Sequence, residues 1–361
     1  MELDIWEYLM GFINYNKEKY NLLITCKSIS KCKFIFTERV NIELIGKSDW
    51  FNHFVNVRVN KRVKLPSMIT HLTFDDKFNK SIQFYIPSTV THLIFGEDFD
   101  KPIRGHIPTS VTHLVLGDYW DYSLKDCIPS SVVHLTLGNY FNKTVKNCIS
   151  PFVEHLIFGI EYDCSLKDSI PSSVKYLTLD GMKNHTIKNR IPFSVTHLTF
   201  GPCFNKSVKD CIPSSVTHLT FDYLFNHSIK DSIPSSVKYL DLGSKFNRSI
   251  KGYIPTSVTH LILSTSFNKS IKDSIPSSVT HLKFGMLFNQ PITNNIPLSV
   301  THLELGSCFN NLIDIPTSVI ELTLCGITKS HNLIYMIECI QKGYNISYGH
   351  CGTAQATIKF R

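Results

Sequence analysis

Histidine is the residue type whose spacing in this sequence could support chemistry. Ten of the sixteen histidines are separated by 21 residues or a multiple of 21, and two tyrosines, Tyr176 and Tyr239, complete the row. Imidazoles in a regular row could bind a metal ion, or a partner whose affinity depends on pH. The ten histidines are His71, His92, His113, His134, His155, His197, His218, His260, His281 and His302.

The residues around this row favour partner binding or a structural role over metal binding. No carboxylate or cysteine recurs beside the histidines, and the next outward position carries residues such as Thr73, Ile94 and Val115. We therefore expect no metal ion and no cofactor, and interpret the row as a structural ladder on an open strand face. If that face binds a partner, the contact residues are His92, His113, His134, His197, His218, His260 and His281.

A second row is basic. It could attract an acidic protein or nucleic acid. Aspartate follows the basic residue in five repeats, and no aromatic residue alternates with it, so a solvated face is the simpler interpretation and nucleic acid is not expected. An acidic partner stays open. The row comprises Arg104, Lys125, Lys146, Lys167, Lys188, Lys209, Lys230, Lys251 and Lys272.

The cysteines give no support for catalysis. There are eleven, an odd number, and no two are spaced Cys-x-x-Cys. Reduced thiols in a cytosolic or nuclear protein are the simplest interpretation. No histidine or carboxylate recurs beside them as a base, so we expect a protein that is not an enzyme.

The elements that position these rows come from a 21-residue repeat. A pair made of an aromatic residue and Asn or Asp recurs every 21 residues at twelve positions from Phe78 to Asn310, with Lys183 in place of the aromatic residue at one of them. We expect both columns to point inward, the aromatic residues as a stacked spine on the return side of the coils and the Asn or Asp residues as a ladder that satisfies backbone groups in the turns. A second phrase, Ile-Pro-x-Ser-Val-x-His-Leu-x-Phe-Gly, is complete from Ile191 to Gly201. In His-Leu-x-Phe, Leu and Phe share one face of a short strand, Ile-Pro forms the bend before it and Gly the turn after it. A fixed period of this length predicts a stacked solenoid with one parallel strand per coil.

The Phe-Asn and Ile-Pro phrases closely resemble the FNIP repeat over about residues 66–324. That family is related to leucine-rich repeats and is found in amoebae and their giant viruses. The resemblance implies a curved solenoid with parallel strands on one face, and it assigns no active site.

The first forty residues resemble a second family, the F-box. Asp4, Ile5-Trp6, Leu9-Met10 and Ile13 have its spacing, as do Leu23, Thr25, Cys26-Lys27 and Ile29, with one extra residue between the halves. Glu2 and Ile29 depart from its usual Pro and Trp. The resemblance implies two short helices that bind a Skp-type adaptor, and we expect the contacts to come from Ile5, Leu9, Ile13, Leu22, Leu23 and Cys26.

Together these features predict four segments. Residues 1–40 form a small helical F-box-like domain, 41–65 a linker and N-terminal cap, 66–324 the solenoid, and 325–361 a C-terminal cap. The implied function is a substrate receptor in a cullin-based ubiquitin ligase, with an unidentified protein as substrate. The alternative is a scaffolding solenoid whose N-terminus only caps the first coil.

Composition fits a protein that works away from membranes. The formal net charge is +8, no uninterrupted apolar run approaches the length of a membrane span, and Met1-Glu-Leu-Asp is unlike a signal peptide. We expect a cytoplasmic location, which would be the host cytoplasm if the protein is viral, and no membrane partner.

Overall fold

The computed structural model describes residues 39–45, 51–181, 186–311, 315–325, 345–348 and 355–359, together with Thr37. The chain divides into two compact units, residues 1–153 and 154–361. In the described ranges α-helix is confined to one turn, α1, at Ile42–Ile45, and a 3₁₀ turn spans Phe51–His53. No helix in the described part of the chain is long and apolar enough to cross a membrane.

The first unit is a stack of short parallel strands. Each strand pairs with the next in a register of 21 residues from the third strand on, so that His71 lies beside His92 and Leu72 beside Leu93. Parallel pairing begins before the histidine row, at the first two strands. The strands are β1 Val40–Asn41, β2 Asn56–Val59, β3 His71–Phe74, β4 His92–Ile94, β5 His113–Val115 and β6 His134–Thr136.

The second unit repeats this arrangement and ends differently. Its parallel strands are β7 His155–Phe158, β8 Tyr176–Leu179, β9 His197–Phe200, β10 His218–Phe221, β11 Tyr239–Asp241, β12 His260–Ile262, β13 His281–Lys283, β14 His302–Leu305 and β15 Glu321–Cys325. The last two strands, β16 Asn345–Tyr348 and β17 Gln355–Lys359, pair antiparallel, with β17 lying against both β15 and β16. The prediction of one parallel strand per 21-residue coil is confirmed across thirteen strands, β3 to β15.

Alternation along each strand builds the core. In β10, Leu219 and Phe221 are buried while His218 and Thr220 face outward. Before the strand, the Val216 amide donates to the Pro213 carbonyl oxygen over 3.1 Å, which closes the bend that the Ile-Pro phrase predicts. Each coil therefore contributes one short apolar face, which only the neighbouring coils can cover.

The aromatic column is the second part of the core. Phe225 is fully buried, and its ring centroid lies 6.4 Å from that of Phe204, 6.0 Å from that of Phe246 and 3.8 Å from that of Phe221. Within the first unit Phe78, Phe99, Trp120 and Phe141 are equally inaccessible. The expected aromatic spine on the return side of the coils is confirmed.

The Asn/Asp column forms the expected ladder, but at the surface. The Asn226 side-chain oxygen accepts a hydrogen bond of 3.0 Å from the Asn247 backbone amide, and Asn205 does the same for Asn226. Asn205, however, is exposed and Asn226 only half-buried, so our expectation that this column points inward is wrong. The amides it satisfies belong to turns at the rim of the coil, where water also reaches the side chain.

Candidate functional site

The histidine row of the first unit is a stack of parallel rings at the start of the strands. Centroids of consecutive rings from His71 to His134 are 4.0 Å apart, with interplanar angles of 11–15°. The rings are half-buried, since their neighbours on both sides cover the ring faces and leave an edge accessible. Such spacing follows from a parallel register that places identical residues side by side.

The second unit carries the same stack with one loosened segment. The centroids of His197 and His218 are 4.1 Å apart, and Tyr176 stacks against His197 at 4.4 Å. Around Tyr239 the separations grow to 5.8 Å and 6.3 Å. Tyr176 therefore replaces a histidine without widening the stack, whereas the rings on both sides of Tyr239 are further apart.

A threonine precedes the histidine in most coils and holds its ring. In eight described coils the threonine Oγ1 lies 2.9–3.0 Å from Nδ1 of the following histidine. The same hydroxyl also lies 3.2–3.4 Å from a backbone carbonyl oxygen. In every such coil after the first, that carbonyl belongs to the residue 21 positions earlier, in the preceding coil. Sequence analysis missed these threonines, although the recurring Thr-His dipeptide was a visible signal.

The stack disfavours protonation of its imidazoles. Burial lowers the pKa of His71, His92, His197 and His281. Other histidines of the row lower the pKa of His92, His197 and His281 further. A second positive charge about 4 Å from the first would be unfavourable, so these four imidazoles are protonated less readily than a free histidine. Parallel rings also do not direct their nitrogens at a common point, and no group of three metal-ligating side chains converges within the described ranges.

We expect stability to fall when the row is protonated. A histidine whose pKa is lower in the folded than in the unfolded protein contributes stability that is complete above the unfolded pKa of about 6.5 and is lost as the pH falls through the folded pKa. The carboxyl group of Asp180 acts in the opposite sense, because burial raises its pKa to about 6. His92→Tyr, which copies Tyr176, should therefore lose less stability than the unchanged protein between pH 7.5 and 5.5.

Urea unfolding at the two pH values measures this difference. The substitution Lys80→Gln, at an exposed residue, should leave the pH dependence of the unfolding midpoint unchanged. Equal losses in His92→Tyr and the unchanged protein would show that stacking does not disfavour protonation of His92.

At its C-terminal end the strand face of the second unit contains a shallow depression of about 270 Å³. His260, His281 and His302 line it, together with the ion pair between Lys283 Nζ and Glu304 Oε1 at 2.9 Å. The outward position that carries Thr199 or Thr220 in earlier coils is charged here, so this end of the face differs chemically from the rest of the unit.

The basic row is partly neutralised between coils. The side chains of Lys188 and Lys251 form ion pairs of 3.1 Å and 3.2 Å with Asp210 and Asp273 in the following coil. All four side chains are more than half exposed, so each pair contributes little to stability. The structure thus places this row on a solvated face.

The aspartates beside the basic row have a second role that sequence analysis missed. Their position has a positive φ of 52–73° throughout, a region that Asn, Asp and Gly enter more readily than other residues. Phe84 is the exception, at a φ of 52° and almost fully exposed. The position holds Gly105, Asp126, Asn147, Asp168, Asn189, Asp210, Asp231, Gly252, Asp273 and Asn294.

Four of the described cysteines are poor nucleophiles. Burial raises the pKa of the Cys127, Cys148 and Cys211 thiols, and raises that of Cys325 to about 11 with help from Glu304. Thiolate, the reactive form, is therefore scarce at these residues at neutral pH.

The residues expected to contact an adaptor lie outside the described part of the chain. They are Ile5, Leu9, Ile13, Leu22, Leu23 and Cys26.

Comparison with known proteins supports the solenoid. Among solved structures the chain is similar to CroV588, described as a novel circular leucine-rich-repeat protein, with 30% identity and a TM-score of 0.59. The alignment covers 76% of this chain and 50% of CroV588, so the chain spans about half of that protein. No curated protein gives a significant match.

A family model described as the FNIP repeat matches seven segments. They are residues 60–98, 99–140, 141–181, 184–223, 204–245, 246–286 and 288–326. These matches cover more than half of the sequence and coincide with the parallel coils described above, so the chain belongs to the FNIP-repeat family.

Proposed function

We propose that this protein is a receptor that binds another protein through the strand face of its solenoid. The observation that carries the proposal is the row of stacked rings, held in register by parallel pairing and open along one edge. A solenoid presents many such positions to a partner at fixed spacing. The outward residues change from hydroxyl to charged along the second unit, which gives the face a sequence-specific pattern.

We propose further that residues 1–40 bind a Skp-type adaptor and place the receptor in a cullin-based ubiquitin ligase. The F-box-like spacing from Ile5 to Ile29 supports this assignment. So does the contact between α1 and β2, because α1, in which Ile42 and Ile45 are buried, already lies against the N-terminal end of the sheet in the first unit. A preceding amphipathic segment is then not needed as a cap. The protein would hold its substrate near a conjugating enzyme and transfer nothing itself.

The proposal includes a cytoplasmic, non-catalytic role. The raised pKa values of the Cys127 and Cys211 thiols support the absence of catalysis, because thiolate, the nucleophilic form, is scarce at these residues. Ubiquitin transfer requires the cytoplasm or nucleus, including that of a host cell if the protein is viral.

One observation favours the alternative, a scaffolding solenoid with a capping N-terminus. Val40, the last residue of the F-box-like segment, is part of β1 and pairs with Val57 of β2. The end of that segment is therefore joined to the sheet, and more of it could pack on the first coils.

Leu9→Asp combined with Leu23→Asp separates the two functions. If residues 1–40 bind an adaptor, the double variant should lose capture of a purified Skp-type adaptor, since charges replace two apolar contacts worth about 1.5–3 kcal/mol each. Its thermal unfolding should match that of the unchanged protein. His218→Ala, on the strand face, should retain the adaptor. Loss of the first unit's stability in the double variant, or no capture by the unchanged protein, would favour the capping role.

A further inference from the structure

Where a threonine precedes a stacked histidine, its hydroxyl has one proton and two possible acceptors. Thr217 Oγ1 lies 3.0 Å from Nδ1 of His218 and 3.3 Å from the Thr196 carbonyl oxygen. The direction in which this hydroxyl donates determines the histidine tautomer, because a neutral imidazole carries its proton on only one nitrogen. The chemistry that the strand face offers to a partner depends on that choice.

The carbonyl oxygen is already satisfied. Thr196 O accepts from the Thr217 amide at 2.9 Å and from the His218 amide at 3.1 Å. In the preceding coil the Lys175 carbonyl oxygen accepts two amides at 2.9 Å and 3.0 Å, and the hydroxyl is further away, at 3.4 Å. A carbonyl oxygen has two lone pairs, and both are used. The hydroxyl therefore donates to Nδ1, its nearer acceptor.

We propose that the threonine column fixes the histidines as Nε2–H tautomers, and that the resulting donor row at His197 and His218 binds the carboxylates of an acidic partner segment. The two rings are parallel within 12° and 4.1 Å apart, so their Nε2–H groups lie on the same side of the stack. Neighbouring carboxylates on an extended acidic segment can each accept from one of them. The inference deepens the receptor function and rests on it for the existence of a partner.

The residues next to these two rings on the strand face are hydroxyl-bearing or basic, which is compatible with an anionic partner. The next outward residues, Thr199 and Thr220, are uncharged and add hydroxyl donors. Positive charge comes from Lys238 in the next coil and from Lys175, whose Nζ is paired with Glu154. The nearby carboxylates are those of Asp180 and Asp222 just beyond the C-terminal ends of β8 and β10, and of Asp241 at the end of β11. His197 and His218 are the first residues of β9 and β10, so these three carboxylates lie towards the opposite ends of the strands.

The tautomer is tested without any partner. Nitrogen-15 NMR of the full chain at pH 7.5 should show His218 with a protonated Nε2 and a bare Nδ1. Thr217→Val removes the hydroxyl and should give His218 a mixture of tautomers. Valine is compatible with this position, since Val133 precedes His134 in the corresponding coil. A proton on Nδ1 in the unchanged protein, or no change in Thr217→Val, would overturn the assignment.

The partner's chemistry is tested with a glutamate-rich peptide and a glutamine-rich peptide of equal length. NMR titration should show the first shifting the His197 and His218 signals, and the second binding at least tenfold more weakly. His197→Phe with His218→Phe keeps the rings but removes the donors, and should weaken glutamate-peptide binding at least tenfold. Leu224→Ala, at an exposed residue outside the strand face, should not.

Failure of this binding is distinguishable from failure of the receptor function. Equal binding of both peptides, or undiminished binding by His197→Phe with His218→Phe, would overturn an acidic partner at this site. Adaptor capture by residues 1–40 would be unaffected by that result, because it uses a different segment of the chain.

Discussion

Phe225→Ala should lower the free energy of unfolding by about 3–5 kcal/mol, the cost of truncating a fully buried aromatic side chain. The ring lies between those of Phe204 and Phe246 and contacts that of Phe221, so its removal leaves a cavity that no flexible side chain can fill. Because natural proteins are stable by only about 5–15 kcal/mol, this single change should remove a large part of the stability. Denaturant unfolding monitored by circular dichroism measures the effect.

The adjacent residue provides a matched control for that experiment. Leu224 is 40% exposed, and its backbone amide, which donates to the Pro202 carbonyl oxygen, is retained in any substitution. Leu224→Ala should change the free energy of unfolding by no more than about 0.5 kcal/mol. Similar losses in the two variants would show that the aromatic column is not the core of the coil.

Gly285→Ala should cost about 3 kcal/mol or more, at or above the upper end of the usual overpacking range. An added Cβ would overlap the backbone carbonyl oxygen of Ser264 in the preceding coil. This carbonyl oxygen also accepts from the Phe267 amide at 3.1 Å, so it cannot move aside as a flexible side chain can. The close approach of successive turns therefore requires glycine at this position, and the unfolding midpoint in urea should fall accordingly.

Gly252 separates this steric requirement from a conformational one. Its φ is +73°, and an added Cβ would meet no atom within 4 Å. Gly252→Ala should cost about 1–2 kcal/mol, whereas Gly252→Asn should cost less, because asparagine tolerates the left-handed region. At Gly285 asparagine should be at least as harmful as alanine. Rescue by asparagine at Gly285 would mean that φ, and not the carbonyl of Ser264, sets the requirement.

Much of the fold follows from the 21-residue period. The period places Leu219 and Phe221 on one strand face and brings His218 beside His197, so the strands, their register and the ring stack could be predicted from spacing alone. The position of Asn226 at the rim of the coil could not be predicted in this way. An asparagine that accepts from turn amides recurs with the same spacing whether it points into the core or lies at its rim.

The candidate site was less predictable because its details depend on backbone conformation. Asp210 was interpreted as a charge beside Lys209, yet its position is defined first by a positive φ. The hydrogen bond from Thr217 to His218 depends on a carbonyl oxygen from the preceding coil, which no local pattern shows. The departures at Glu2 and Ile29 lie in a part of the chain that the structure does not describe.

Equivalent residues of successive repeats pair directly with each other, and this affects how the number of repeats can change during evolution. His218 lies opposite His197, and Leu219 opposite Leu198, as in nearly every other pair of neighbouring parallel strands. A gene segment of 63 nucleotides therefore encodes one unit that fits between any two others. Unequal recombination can add or remove such units in frame, and each event lengthens or shortens the surface by one coil while the junctions keep their original contacts. Lineages could thus alter the number of contacts with a partner without passing through an unfolded intermediate.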